Sequence, residues 1–82
     1  MEQEPTDRVE DWQSLVNKPV YASDGKDIGI VSQIQPLHLI VTFGVIIPDK
    51  FNIPKTSIKN IHGGVVHLKE DSKIVKDTYA FE

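Results

Sequence analysis

The chain is 82 residues long, contains no cysteine, and carries nine basic against twelve acidic side chains, a formal charge of −3. A chain of this size has room for one domain that buries roughly 60% of its unfolded surface, so a deep substrate cavity is not expected. Without cysteine there is neither a disulfide framework nor a zinc–thiolate site, and the acidic balance disfavours direct contact with nucleic acid.

Residues 1–13 form a polar N-terminal lead-in. Val9, Trp12 and Val16 are spaced as one face of a short helix, and a tail that ends at Trp12 is the alternative. The segment is acidic and lacks the apolar run of a signal peptide, and no stretch of the chain approaches the roughly 20 apolar residues of a membrane span. We therefore expect a cytoplasmic protein without membrane insertion.

A β-hairpin is predicted around Asp24 and Gly25. Asp-Gly is a favoured hairpin turn because glycine accepts a positive φ angle, and β-branched residues occupy both flanks, residues 19–23 and 28–35. Alternate residues of the second strand point to the same side, and we expect its isoleucine face to point into the core. That face consists of Ile28, Ile30 and Ile34.

Two further strands are predicted after this hairpin. A third strand covers residues 38–44, with its larger apolar side chains on one face. A fourth, residues 50–54, is short and closed by Pro54, as expected for an edge strand or a corner because proline cannot donate to the sheet. The apolar face of the third strand consists of Leu39, Val41 and Phe43.

The last hairpin makes a prediction of register. If Gly63 and Gly64 form a two-residue turn, the strand residues on either side pair in a fixed order. The predicted pairs are His62 with Val65, Ile61 with Val66, and Asn60 with His67. This register places Ile61, Val66 and Leu68 on a core face, and Asn60, His62, Val65 and His67 on a wetter face. Beyond it, residues 70–76 are predicted to form a polar turn or one helical turn, and residues 78–81 a tail.

Short strands separated by turn signals, without a long 3.6-residue periodicity, predict an all-β domain. We expect a small barrel of about five to six short antiparallel strands over residues 14–70. A C-terminal turn and tail over residues 71–82 would follow it.

Several segments occur in the order of a known family. They are LVNKPV at residues 15–20, DGKDIGIV at 24–31, FNIP at 51–54, Ile58, and VVHL at 65–68. The set resembles the PRC-barrel domain, a family named after the photosynthetic reaction-centre H subunit and found also at the C-terminus of a bacterial ribosome-maturation factor. Asn17 stands where the family usually has glycine, so a positive φ angle is expected there.

The resemblance implies a small PRC-barrel-like domain that docks or scaffolds within larger assemblies and has no family-wide catalytic residues. Free-standing archaeal relatives include cell-division adaptors. The resemblance therefore favours a non-enzymatic adaptor that binds another protein, with homodimerisation expected. An accessory factor in ribosome assembly or RNA processing, acting through protein contacts, is the first alternative.

The three histidines, His38, His62 and His67, raise a second alternative, a small metal- or ligand-binding regulator. The predicted register brings His62 and His67 within side-chain reach of each other. A transition metal normally takes three or four protein ligands, so Asp49 or Glu70 would have to contribute. Structural or solvated histidines are the favoured interpretation, and we predict neither a metal nor a cofactor.

The sequence offers no catalytic motif. Ser57, His62 and Asp77 could be imagined as a nucleophilic trio, but nothing fixes their geometry. There is no nucleophile elbow and no phosphate-binding glycine loop, and residues 24–27 lack most of the ligands of a calcium loop. We therefore expect a protein that is not an enzyme.

Residues 43–51 are more apolar than most connections between strands. An exposed apolar patch of this kind marks association, and the edge backbone of residues 50–52 could accept an added strand. The predicted partner-binding residues are Val45, Ile46, Ile47, Lys50, Phe51 and Asn52. The alternative is that residues 45–47 extend the third strand and complete the core.

Overall fold

The computed structural model describes residues 12–81, which form a mostly β domain as predicted. The strands are β1 (Pro19–Tyr21), β2 (Asp27–Ile34), β3 (His38–Phe43), β4 (Asp49–Pro54), β5 (Ile58–His62), β6 (Val65–Leu68) and β7 (Ala80–Phe81). Helix α1 (Ser72–Tyr79) precedes β7, and short 3-10 helices occupy Trp12–Leu15 and Lys55–Ser57. The predicted helical position of Val9 lies outside the described residues.

The seven strands form one mixed sheet in the order β5-β6-β1-β2-β3-β4-β7. Neighbouring strands pair antiparallel, except that β1 and β6 are parallel, with Val20 opposite Val66. The expected antiparallel barrel of five to six strands is therefore corrected in two respects. The sheet has one parallel pair, and over the described part of the chain its ladder ends at β5 and β7 without closing.

The core includes residues from both ends of the described chain. Its buried members are Leu15, Val20, Ala22, Ile28, Val31, Leu39, Val41, Phe51, Ile53, Ile58, Val66, Leu68 and Val75. Trp12 packs against this cluster, and the Lys55 ammonium lies 4.1 Å from the centroid of its ring, close enough for a cation–π contact. The Lys55 ammonium also donates to the carbonyl oxygen of Pro36 at 3.0 Å.

The isoleucine face of β2 is interrupted by a β-bulge. Ile28 has no partner on β1, because Val20 pairs with Gly29 while the next residue of β1 pairs with Asp27. An extra residue shifts the alternation by one position, so Val31 is fully buried and Ile30 is 48% exposed. The prediction that Ile30 points into the core is therefore wrong.

Gly29 allows β2 and β3 to lie close together at this bulge. Its φ angle is +132°, and a β-carbon placed there would come 2.8 Å from the carbonyl carbon of Thr42. The Gly29 N–H donates to the Asp27 carboxylate at 2.9 Å. Only glycine has both the conformation and the size for this position.

The β5–β6 hairpin has the predicted register. The pairs are His62 with Val65, Ile61 with Val66, and Asn60 with His67. Both turn glycines, Gly63 and Gly64, have positive φ angles, and Val66 is fully buried while His62 is exposed. The prediction of a core face and a wetter face is confirmed for this hairpin.

Asn17 has a φ angle of +74°, as expected from its position. Its N–H donates to the carbonyl oxygen of Val31 at 2.7 Å, and the Val31 N–H donates to the carbonyl oxygen of Lys18 at 3.0 Å. The left-handed residue thus turns the chain from the first 3-10 helix into contact with β2.

The C-terminal segment is part of the fold and is not the turn and tail expected over residues 71–82. Asp71 caps α1 by accepting the Ile74 N–H at 2.9 Å, Val75 is fully buried, and the Tyr79 hydroxyl lies 3.0 Å from that of Ser57. The domain therefore continues beyond residue 70. No helix within residues 12–81 is long and apolar enough to cross a membrane.

Helix α1 is also attached to the first hairpin turn. The Ser72 hydroxyl donates to the Asp24 carboxylate at 2.8 Å. Partial burial of the carboxyl raises its pKa, but the hydrogen bonds from Ser72 and from the Lys26 N–H lower it, and the net result is a lowered pKa for Asp24. The ionised form of Asp24 therefore contributes to holding the helix.

Candidate interaction surface

Residues 44–48 connect β3 and β4 as a five-residue loop at the end of a regular hairpin. The two strands pair residue for residue, from His38 opposite Pro54 to Phe43 opposite Asp49. The chain leaves β3 at Gly44, whose φ angle of +98° favours glycine. The β3–β4 pairing ends at Phe43 and Asp49, so none of the loop residues 44–48 pairs with a strand. The loop therefore extends beyond the end of the sheet.

Three consecutive aliphatic side chains occupy this loop and are almost fully exposed. The exposed fractions are 92% for Val45, 92% for Ile46 and 86% for Ile47. The alternative in which these residues extend β3 and complete the core is therefore excluded. We call these three residues the apolar loop.

Two grooves with both apolar and polar lining residues adjoin the β3–β4 hairpin. A groove of about 300 Å³ on one side is lined by Tyr21, Ile30 and Val45. A second, of about 270 Å³, is lined by Phe43 and Phe81 together with three charged residues, Asp49, Lys50 and Lys76. Ile30, Phe43 and Phe81 are each more than 40% exposed, so further apolar side chains flank the apolar loop among polar and charged ones.

The predicted partner-binding residues of β4 differ in how far they are exposed to solvent. Lys50 is exposed beside the loop. Phe51, by contrast, is only 3% exposed and belongs to the core, so its side chain is unavailable to a partner. Asn52 is half-buried, and its buried side-chain oxygen Oδ1 accepts no hydrogen bond among residues 12–81.

The backbone edge of β4 is also partly occupied. Lys50 pairs with Phe81 and Phe51 pairs with Ala80 of β7. Strand addition at residues 50–52, as expected from the sequence, would have to displace β7 or begin beyond it.

Ile30 and Phe81 are not among the residues that the sequence predicts for this surface. Ile30 was expected in the core because strict alternation was assumed along β2, whereas the bulge turns it outward. Phe81 was expected in a tail, whereas α1 returns the chain to β4. Their apolar character was visible in the sequence, but their position depends on the bulge and on the helix.

The histidines do not assemble a metal centre. No group of three or more histidine, aspartate or glutamate side chains within residues 12–81 is placed to hold a metal ion. His62 and His67 line one groove, and the His67 ring lies 6.4 Å from that of Tyr21. Neither Asp49 nor Glu70 lines that groove.

Two members of the imagined trio of Ser57, His62 and Asp77 engage other residues. The Ser57 hydroxyl lies between Tyr79 and Glu70, and the Asp77 carboxylate pairs with Lys73 at 2.9 Å. The Ser57 hydroxyl and the Asp77 carboxylate therefore each have a structural partner outside the trio.

No family model matches the chain, and no curated protein or solved structure matches it either.

Proposed function

We propose that the protein is a non-enzymatic adaptor of the PRC-barrel type that binds another protein through the apolar loop and its flanks. The observation that carries this proposal is the run of three successive aliphatic side chains at about 90% exposure. Isolated exposed apolar residues are ordinary, but a contiguous apolar patch costs solubility unless it is covered part of the time. The ordered PRC-like segments supply the assignment to this type.

The apolar loop is suited to binding because its three side chains are not part of the core and remain available to a partner. Covering a fully exposed valine or isoleucine contributes roughly 1.5–3 kcal/mol, so the three side chains together offer a gross gain of about 5–9 kcal/mol. Part of that gain is lost to the entropy of association. The remainder suits a contact that forms and dissociates.

In this proposal the protein acts in the cytoplasm, without membrane insertion and without direct contact to nucleic acid. A second copy of the chain is one partner, giving a homodimer. The other partner is a larger assembly, for which the archaeal cell-division machinery is the class that the resemblance suggests. Lys50 lies beside the loop and would form part of the polar rim of the contact.

The test is the double substitution Ile46→Ser and Ile47→Ser. We expect it to shift sedimentation equilibrium towards monomer and to abolish capture of the wild-type partner from native lysate, with an unchanged circular dichroism spectrum. Leu37→Ser is the matched control, because Leu37 is 72% exposed in the turn at the opposite end of β3. Unchanged association and capture in the folded double variant would contradict the proposal.

A further inference from the structure

The turn between β1 and β2 contains a reactive dipeptide. Asp24 and Gly25 are the only place in the chain where glycine follows an aspartate or an asparagine. The main-chain nitrogen of the following residue can attack the side-chain carbonyl carbon of an aspartate, and glycine hinders this attack least because it has no β-carbon. Both residues are exposed, and a β-carbon built on Gly25 would meet nothing within 4 Å. Neighbouring atoms therefore do not shield this dipeptide from solvent.

The folded structure nevertheless engages the groups that such an attack requires. The Gly25 N–H donates to the carbonyl oxygen of Ala22 at 2.9 Å. One oxygen of the Asp24 carboxylate accepts the Ser72 hydroxyl at 2.8 Å, and the other accepts the Lys26 N–H at 3.4 Å. These bonds favour the ionised carboxylate, which is a poor target for a nucleophile, and they restrict rotation of the side chain. The turn is therefore held in an unreactive arrangement.

The bond from Ser72 connects the turn to a distant part of the chain. Ser72 is the first residue of α1 and is only 8% exposed, whereas Ala22 and Lys26 belong to the turn itself. The Ser23 N–H adds a second connection, because it donates to the carbonyl oxygen of Glu70 at 2.8 Å. Helix docking and the arrangement of the turn are thus coupled, and a local opening that moves the start of α1 away frees the Asp24 side chain.

We propose that Asp24 is a site of spontaneous isoaspartate formation and that docking of α1 through Ser72 controls its rate. The site lies outside the apolar loop, which connects β3 to β4. The inference therefore goes beyond the proposed function and does not depend on it.

The reaction needs only water. The Gly25 nitrogen bonds to Cγ of Asp24, and its proton leaves with the hydroxyl of the protonated carboxyl group as one water molecule, which closes a succinimide ring. A water molecule then adds to the ring carbonyl carbon that was the main-chain carbon of Asp24, and the bond from that carbon to nitrogen breaks. The main chain now runs through Cγ. One water has left and one has entered, and nothing is oxidised or reduced.

The product cannot restore the original contacts. Isoaspartate lengthens the main chain of the turn by one methylene group, and its free carboxylate is attached directly to Cα. The carboxylate is therefore displaced from the hydroxyl of Ser72 and from the N–H of Lys26, the two donors that hold it in the native turn. Isomerisation would then weaken the docking of α1, and the chain would not return to its first state by refolding.

The experiment ages the full chain at neutral pH and physiological temperature and measures isoaspartate at each aspartate by peptide mass spectrometry, with fragmentation that separates the two isomers. In concentrated urea, Asp24 should isomerise faster than the other aspartates of residues 12–81. Folding should slow the reaction at Asp24 by about five-fold or more, because only the opened turn reacts. The comparison aspartates are Asp27, Asp49, Asp71 and Asp77.

Ser72→Ala is the test variant. We expect about three-fold or more faster isomerisation at Asp24 in the folded variant, because losing a hydrogen bond to an ionised group increases the population of the opened turn. In urea its rate should equal that of wild type, since Ser72 is far from Asp24 in the sequence. Thr78→Ala is the matched control, because it removes an exposed hydroxyl near the other end of α1 and should leave the folded rate unchanged.

Two measurements on wild type need no substitution. Urea below the unfolding transition should increase the isomerisation rate at Asp24 in parallel with hydrogen exchange of the α1 amides. The isomerised protein, separated by chromatography, should exchange its α1 amides faster than the unmodified protein.

Four results would each overturn the inference. They are no preference for Asp24 in the unfolded chain, a wild-type rate in folded Ser72→Ala, an equal excess of that variant's rate in urea, and unchanged exchange of α1 in the isomerised protein. The Ile46→Ser and Ile47→Ser variant should isomerise at the wild-type rate. Failure of the apolar loop and failure of this site are therefore distinguishable.

Discussion

Tyr79 places its hydroxyl oxygen 3.0 Å from the hydroxyl oxygen of Ser57. Ser57 is only 4% exposed at the corner between β4 and β5, and its hydroxyl donates to the Glu70 carboxylate at 3.4 Å. The Tyr79 hydroxyl is then the donor to Ser57. This bond fastens the last turn of α1 to the corner of the sheet.

Tyr79→Phe should therefore lower the free energy of unfolding by about 1 kcal/mol, since a buried hydroxyl loses its donor. Urea denaturation of Tyr79→Phe, Ser57→Ala and the double variant measures the coupling between the two side chains. We expect a coupling energy of about 1 kcal/mol. Strict additivity of the two single substitutions would show that this hydrogen bond does not stabilise the fold.

Adjacent residues of α1 should differ sharply in their effect on stability. Val75 is fully buried, whereas Ile74 is 47% exposed. Val75→Ala should cost about 2 kcal/mol because it removes buried methyl groups, while Ile74→Ala should change stability by less than about 0.5 kcal/mol. The midpoints of urea unfolding test this, and equal effects would mean that the helix does not pack against the core.

Gly29 and Gly25 provide a matched pair of backbone tests. Both have positive φ angles, but a β-carbon at Gly29 meets the backbone of Thr42, whereas one at Gly25 has nothing within 4 Å. Gly25→Ala should cost about 1 kcal/mol from conformation alone, and Gly29→Ala more than about 3 kcal/mol because strain and a clash combine. Thermal unfolding followed by circular dichroism ranks the two, and a Gly29→Ala protein as stable as Gly25→Ala would refute the close approach.

Asp24 should make a contribution to stability that depends on pH. Its pKa is lowered in the folded protein from the model-peptide value of 3.8, so the contribution is present above that value and is lost as pH falls through the lowered folded pKa. Wild type and Asp24→Asn should therefore differ most at neutral pH, and the difference should shrink on acidification. Urea midpoints measured across this range provide the test.

Ser72→Ala provides the complementary measurement. Removal of the Ser72 hydroxyl should raise the pKa of Asp24 towards its ordinary value, as read by NMR titration of the carboxyl carbon. An unchanged Asp24 pKa in this variant would show that the bond between the turn and the helix is not the cause of the shift.

Local patterns predicted the hairpin turns well, because their geometry depends on adjacent residues. The register around Gly63 and Gly64 followed from one assumption about turn length, and the positive φ angle expected at Asn17 is present. Which residues of β2 are buried and which are exposed could not be predicted in the same way. Its bulge at Ile28 depends on how three strands meet, and strict alternation carries no information about an inserted residue.

One helical turn was an alternative for residues 70–76, but the full extent of the helix and the strand order were not predicted, for different reasons. The helix had a local signal, the Asp71 cap followed by Val75 and Tyr79 on one face, but eight residues are too few for periodicity to be decisive. The parallel pairing of β1 with β6 has no local signal, because it joins residues far apart in the chain. The apolar loop was identified from composition, and its exposure follows from the regular pairing of β3 with β4.

The parallel pairing of Val20 with Val66 also constrains how the protein is made. During synthesis, β1 leaves the ribosome before β6, and its second edge stays uncovered until β6 has emerged. Until then one edge of β1 has unpaired N–H and C=O groups. The contacts between β1 and β6 also join residues far apart in the chain, and such contacts slow folding. Stalled translation before residue 65 should therefore yield an aggregation-prone intermediate, and a bound chaperone would be of most benefit in that interval.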